Sequence, residues 1–494
     1  MPKSSQRPIL IDNIQLLTNR PDRISAISTE LGAILVSGSR IQAVCQNAAE
    51  IAALHQHAAE IIDGDGKIAM PGLINAHCHT YASVLRGTEN SQPLEVWALY
   101  TMAYGRSLDP SLMDTAVKLS AAEMIRNGVT AVIDHIPHIG LFQHTMAAHA
   151  ETEMRVGLAP FMQDIPDHVF LGIPLPDELR LPLETPPPMT PAETRSFFDE
   201  FFARAQDLPD RIIPIIGPNG PQRCSPELWQ VWRELQETHD APVHTHLLET
   251  KAQALKSRQL WDGGLVAEMQ RQGLLNSKLT AAHGIWLLDS ERQLLADFDV
   301  TVVHNPTSNL MLGSGVMPYG EYAKRGVAIA IGSDSTNTGG RHDLFECIRL
   351  AAMLPRLSQP DYETWPSAAD VMVNSIRAGA GALGLGGELG QLVPGQFADL
   401  ILLDMNKATA IGPATTLELV AQHAAPGVVT DVMTDGNWLL RDRELQTFDE
   451  TSLIATFADQ REGLLARTNS QSNLLEPTAQ LIKEYLTSLP SVCC

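Results

Sequence analysis

Two histidines, His77 and His79, stand one residue apart in "NAHCHT" at the end of an apolar run. Alternate side chains of a strand share a face, so both imidazoles would point the same way across about 7 Å of backbone and could meet one ion, with Cys78 turned into the opposite wall. Further along, "HTHLLET" supplies His244, His246 and Glu249, "AAHG" supplies His283, "VVHN" His304 and "IGSDS" Asp334. Three imidazoles and a carboxylate suit zinc or another borderline divalent cation with one position left for water, and such an ion lowers the pKa of that water toward neutrality. Glu249, three residues beyond His246, can carry a proton from the water to a leaving group. The metal is assigned to His246 on that spacing, and His244 is kept as a supporting residue. Singly, each group has an ordinary structural use, a hydrogen-bonded core histidine or an aspartate cap.

The elements that must position these residues alternate. Apolar segments at "VTAVIDHI", "RVGLAPFMQD", "RIIPIIGPN", "APVHTHLLE", "KLTAAHG", "VTVVHNP" and "VAIAIGSDS" follow the strand ending at His79, and helical patterns such as "SPELWQVWRELQETH", with Ser225 as N-cap, lie between most of them. Eight alternating units predict an α/β fold of the (β/α)8 barrel type, whose active site gathers at the carboxyl ends of the strands. The histidines, Glu249 and Asp334 all fall at such ends. A proline-rich stretch from Pro166 to Pro191 gives an unusually long connection, which suits a lid, an interface arm or a disordered insert alike. Strand and turn signals return at both chain ends, with turns at Ser37-Gly38-Ser39 and Asp435-Gly436. They predict a small β-sandwich built from residues 1–65 and 390–445, flanking a barrel over 66–389, with a helical tail over 446–494.

The chain has 494 residues, 44% of them apolar, enough for a substantial core. A formal net charge of −22 disfavours nucleic acid and anionic membranes as partners and leaves a small neutral or cationic substrate. Neither a signal-type h-region nor a membrane-length apolar run is present, so a soluble, cytoplasmic protein is expected. The six cysteines have no framework spacing and are expected as reduced thiols, with Cys493 and Cys494 exposed.

"PGLINAHCHT", "HTHLLET", "AAHGIWL", "HNPTSNLMLGSG", "IGSDS" and "LGQLVPGQFADLILLD" resemble the amidohydrolase superfamily, specifically its branch of deaminases and triazine hydrolases. The resemblance implies His77, His79, His246 and Asp334 as ligands of one divalent metal, zinc being preferred and iron(II) or manganese(II) compatible. It implies Asp334 as acceptor of a proton from the attacking water, Glu249 as proton shuttle and His283 as the group that orients the activated water. His304 and the Asn305 and Ser308–Leu310 loop, including Asn309, would help to form the substrate pocket. The fourth strand ends "IIGPNGPQ" without a bridging lysine, in keeping with a single metal. Asn219 stands where nucleoside deaminases of this branch commonly have histidine, and Met311 where lysine is common, while Arg341 and His342 are candidate specificity residues near the mouth.

The implied activity is hydrolytic deamination of an aminated purine, pterin or pyrimidine, with ammonia as the leaving group. The alternative is an s-triazine aminohydrolase or chlorohydrolase, or a carbamate-type xenobiotic hydrolase, at the same site; chloride leaves unprotonated, so Glu249 favours the amine. A catalytically dead scaffold is a third possibility, but it would be free to lose ligands and none is missing. A homodimer or higher homo-oligomer is expected from size and resemblance.

Overall fold

The structure is a computed structural model that describes residues 8–20, 23–28, 30–88, 91–407, 416–469 and 472–490, so Cys493 and Cys494 lie outside the described residues. All eight expected parallel strands form: Leu73–Cys78, Val129–Ile136, Arg155–Met162, Ile212–Pro214 with its continuation Gly217–Pro218, Val243–Leu247, Leu279–His283, Thr301–His304 and Ile329–Ile331. The second and third are buried along their whole length, as strands covered on both faces must be. The fourth is interrupted because Pro214 and Pro218 have no N–H to give a ladder.

The strands pair in parallel as two sheets, one holding the first four in order and the other the last four. Two isolated parallel bridges join the sheets, Ile216 to Val243 and Cys78 to Asp334. The second is carried by the Asp334 N–H donating to the His77 carbonyl at 3.0 Å, so the first and eighth strands meet at the residues that matter chemically. Gly332 permits the approach: a Cβ there would lie 2.8 Å from the His77 carbonyl oxygen and 2.9 Å from its Cβ. Among the connecting helices, Pro226–His239 is capped as expected by the Ser225 hydroxyl, which accepts from the Leu228 N–H at 3.2 Å, and it buries Leu228, Trp229, Trp232 and Leu235.

Both chain ends do contribute to one sheet, but it is a continuous ten-stranded one. Ile9–Arg20 pairs with Gly32–Ser37 and with Ile68–Pro71, and Leu400–Leu403 closes from the far end against Ile68–Pro71. The Asp435-Gly436 hairpin turn holds both residues at positive φ, 53° and 77°, as a tight two-residue turn between strands requires.

One buried ion pair ties this sheet to the parallel strands. Arg155, on the third strand, donates from Nε and Nη2 to both oxygens of Asp399, at 2.8 and 2.9 Å, and its guanidinium lies 4.0 Å from the ring centre of Phe397. Both charges are buried, so neither has water to fall back on. Arg155→Met should therefore destabilise the protein by about 3–5 kcal/mol by stranding the Asp399 carboxylate; an unchanged urea midpoint would show that the pair contributes nothing.

The proline-rich stretch is built rather than loose. It contains helices Asp167–Leu171 and Asp177–Leu183, and Arg106 donates to the Pro182 carbonyl at 3.0 Å. The tail contains helices Glu450–Asn469 and Ser472–Ser488, and the last does more than coat the surface. Its Ala479 and Ile482 pack with Val96, Phe170 and Leu171 over the carboxyl ends of the strands. Among the described residues no helix is long and apolar enough to cross a membrane.

Candidate metal centre and active-site cavity

His77, His79, His246, His283, Glu249 and Asp334 come together at the carboxyl ends of the first, fifth, sixth and eighth strands. His77 Nε2 and His79 Nε2 lie 3.4 and 3.5 Å from Asp334 Oδ1, and His246 Nε2 lies 3.3 Å from His79 Nε2. The other ring nitrogens are committed elsewhere. His79 Nδ1 donates to the His135 carbonyl and His246 Nδ1 to the Asn219 carbonyl, each at 2.5 Å, while His77 Nδ1 meets His244 Nε2 at 2.8 Å. Outward Nδ1–H bonds leave the Nε2 lone pairs facing one point, the arrangement that orients imidazoles on a metal. His77 Nε2 has no hydrogen-bond partner although it is buried, which an ion at that point would supply. Cys78 turns the other way into the apolar core.

The charge states fit a cation. Burial pushes the His77 imidazole down to about 4, against the pull of Asp334. Burial, with the neighbouring imidazoles, also holds His246 and His244 well below the usual histidine range, so they are neutral donors at pH 7. Burial alone would raise the Asp334 carboxyl, but the surrounding histidines, His77 foremost, outweigh that and hold it well below the usual carboxylate range. His283 and Asp334 both sit at positive φ, 74° and 58°, a conformation side-chain-bearing residues rarely adopt and one concentrated at functional sites.

Glu249 stands to one side of the converging nitrogens. Its Oε2 lies 3.5 Å from His283 Nε2, and Oε1 accepts from the Ser314 hydroxyl at 2.8 Å. Burial raises its carboxyl above the usual glutamate range despite opposition from His283 and Ser314. Asn309 holds the other side of the His283 ring, Oδ1 to Nδ1 at 2.9 Å.

A cavity of about 250 Å³ opens from His79, His246 and Glu249, near the lower end of small-molecule pockets. Tyr81, Trp97 and Phe161 supply flat apolar walls, Gln163 and Asn219 amide groups, and the last helix and the proline-rich stretch cover it through Ile482, Leu175 and Leu183.

Not every expected contact reaches this cavity. Asn219 lines it, but Asn309 acts through His283 and His304 is buried behind it, with neither ring nitrogen bonded. Arg341 is exposed, pairs with Glu346 at 3.3 Å and faces a different cavity. His342 is buried with its Nδ1 2.7 Å from the Ser333 hydroxyl, and Met311 is exposed. Sequence reasoning passed over His135, whose carbonyl orients His79 and whose ring stacks 4.8 Å from His246. Its position at the end of "VIDHI" was the same strand-end signal. It also passed over Glu95 and Arg223, which line the cavity: burial pushes the Glu95 carboxyl up to about 7, and Arg223 is held by Asp167 at 2.7 Å.

The amidohydrolase family matches residues 68–439, and the chain belongs to that family. It is a hydrolase acting on carbon–nitrogen bonds. It is 29% identical over 441 residues to the 5'-deoxyadenosine deaminase of Methanothermobacter thermautotrophicus, covering 89% of this chain and 96% of that protein. An adenosine deaminase from Xanthomonas campestris with bound zinc superimposes with a TM-score of 0.81 at 26% identity over 93% of this chain and 98% of that one. The zinc-complexed atrazine chlorohydrolase of Arthrobacter aurescens TC1 shares the fold, with a TM-score of 0.80 at 20% identity over 92% and 100% of the two chains.

Proposed function

We propose that the protein is a metal-dependent hydrolytic deaminase that removes the exocyclic amine of an aminated N-heterocycle, an adenine nucleoside first among them. The observation that carries this is the cluster beside Glu249 in which His77 and His79 Nε2 lie within 3.5 Å of Asp334 and His246 Nε2 lies 3.3 Å from His79 Nε2. That donor set fits one divalent ion, zinc before iron(II) or manganese(II), in line with the zinc-bound deaminase of Xanthomonas campestris. When bound, the ion would polarise a water and lower its pKa.

The chain's own groups do the rest. Asp334 takes a proton from the attacking water, with Ser335 N–H holding its Oδ1 at 2.8 Å. His283, fixed by Asn309, orients the water toward the ring carbon. Glu249, starting as the carboxylate, takes the other proton of the attacking water to the ring nitrogen and then passes the proton held by Asp334 to the departing amine, for which a carboxyl poised above the usual range is suited. The aromatic walls take the faces of a planar ring, while Glu95, Gln163 and Arg223 offer polar partners to a substituent on it.

The two parallel sheets and their two bridges support one closed (β/α)8 barrel over 66–389. The core shared by Ile11, Ile34, Leu400 and Leu402 supports a terminal sheet, from 1–65 and 390–445, that folds on itself as a sandwich, with a helical tail over 446–494. A cytoplasmic homodimer or larger homo-oligomer completes this reading, as composition and resemblance imply.

Ammonia release by zinc-loaded protein should be measured on adenosine, 5'-deoxyadenosine, 5'-methylthioadenosine, aminopterins, cytosine relatives and amino-triazines, with mass spectrometry of the products. Turnover is expected on a nucleoside of the adenine type. Loss of chloride or alkylamine from triazines without ammonia from any purine, pterin or pyrimidine would replace deamination by the triazine-type activity.

The acid side of the pH profile tests Glu249. A carboxylate must be free to accept a proton, so kcat/KM should fall as pH drops through the raised Glu249 pKa. Ser314→Ala removes a hydrogen bond that favours the carboxylate. The acid limb should then move upward; a limb that stays in place or moves down would remove Glu249 as the titrating group.

A further inference from the structure

A second cavity, of about 640 Å³, shares no lining residue with the first. In a chain of net charge −22, five arginines from five separate segments face it: Arg86, Arg126, Arg341, Arg443 and Arg461. Only two acids line it, and both are engaged, Glu123 by Arg86 and Glu450 by Arg126. Two positive charges, Arg443 and Arg461, are left without a carboxylate partner among the described residues. Arg443 donates only to the neutral carbonyls of Pro426 and Val429, at 2.6 and 2.7 Å. Arg341 pairs with Glu346 outside the cavity, and among the described residues no carboxylate pairs with Arg461. Burial first, and then the neighbouring Arg126, disfavour the Arg443 charge, only partly offset by Glu450, and an anion at this wall would relieve that.

The remaining wall is apolar. Phe457 packs into the core beneath, while Ile454 and Leu465 are 56% and 48% exposed, unusual for side chains of that size. We propose that this cavity binds an organic phosphate monoester, its phosphate held by Arg341, Arg443 and Arg461 and its apolar body laid against Ile454, Phe457 and Leu465. Guanidinium groups match phosphate oxygens two at a time, and a monoester near its second ionisation carries about −1.5 to −2 at pH 7. A carboxylate, with a single charge, would leave half of that excess uncompensated.

Phenyl phosphate and inorganic phosphate serve as probes, titrated calorimetrically into the full chain at low salt, both zinc-loaded and stripped of metal. Saturable binding of phenyl phosphate should be equal in the two forms and tighter than that of inorganic phosphate. Arg461→Ala alone, and Arg341→Glu with Arg461→Glu, should weaken it by about tenfold or more, with an unchanged unfolding midpoint. Absence of saturation, equal affinity for inorganic phosphate, or retention of parental affinity in both variants would overturn the proposal. Binding confined to the zinc-loaded form would also overturn it, by locating the anion at the histidine cluster, and leaves the deaminase reading untouched. Failure of the substrate panel, conversely, has no bearing on binding measured in metal-free protein.

Discussion

Glu249→Gln should keep its full metal content and lose turnover by about a thousandfold, within the range expected for removal of a positioned general acid–base group. Glutamine has nearly the same shape and can still accept from the Ser314 hydroxyl, so the fold has no reason to change. Glu249 makes no contact shorter than 3.5 Å with the histidine cluster, and that one is to His283 rather than to a converging Nε2 atom of His77, His79 or His246. What the amide cannot do is accept and release a proton at pH 7. The loss should fall on kcat for amine-bearing substrates, because an amine departs only after protonation. A variant with full metal and unchanged kcat would end the proton-shuttle role. Retained turnover on chloride-bearing rings beside lost turnover on amines would support it further, since chloride leaves without a proton.

Strand-end chemistry was legible because alternation is a strong constraint: once "NAHCHT" is a strand, His77 and His79 must share a face and Cys78 must oppose them. The same constraint carried His246, His283 and Asp334 to one end of parallel strands. Arg341 lies in a loop, where spacing says nothing about direction, and it lines the second cavity with Arg443 and Arg461 rather than the first. Arg155 was invisible for another reason: a charged residue inside "RVGLAPFMQD" reads as a strand boundary, and its burial makes sense only once Asp399 arrives from 244 residues away. Glu95 belongs to the helix Leu94–Gly105, and no motif announces that this helix lines the cavity. The proline-rich stretch gave no choice between lid and loose insert, because proline sets φ but not where the following helices dock. Leu175 and Leu183 settle that locally by covering the cavity.

Asp334→Asn should strip the metal, and with it nearly all turnover, while leaving the surrounding backbone in place. The amide can still accept from the Ser335 N–H that bonds Oδ1 at 2.8 Å, and asparagine tolerates the left-handed φ of 58° better than most residues. Only the negative charge goes, and among the described residues that charge is the one carboxylate paired with His77 and His79. The prediction separates two ways of placing an ion among these residues. His77 belongs to a first cluster, with His79 and Asp334 and with His246 and His283, and to a second group, with His135 and His244, each close enough to hold a metal. In the second group an ion would sit between His77 Nδ1 and His244 Nε2, where a 2.8 Å hydrogen bond now runs, and Asp334 would matter little. His244→Ala then decides between them. With the ion on the Asp334 side, His244 only steadies the His77 ring, and its loss should weaken metal binding by about 10–100-fold, as removal of a group behind a ligand does. Asp334→Asn should cost more than that. Metal analysis after dialysis against a graded chelator reads both directly. Full metal in Asp334→Asn with an empty site in His244→Ala would move the ion to the other face of His77 and take Asp334 out of the ligand set.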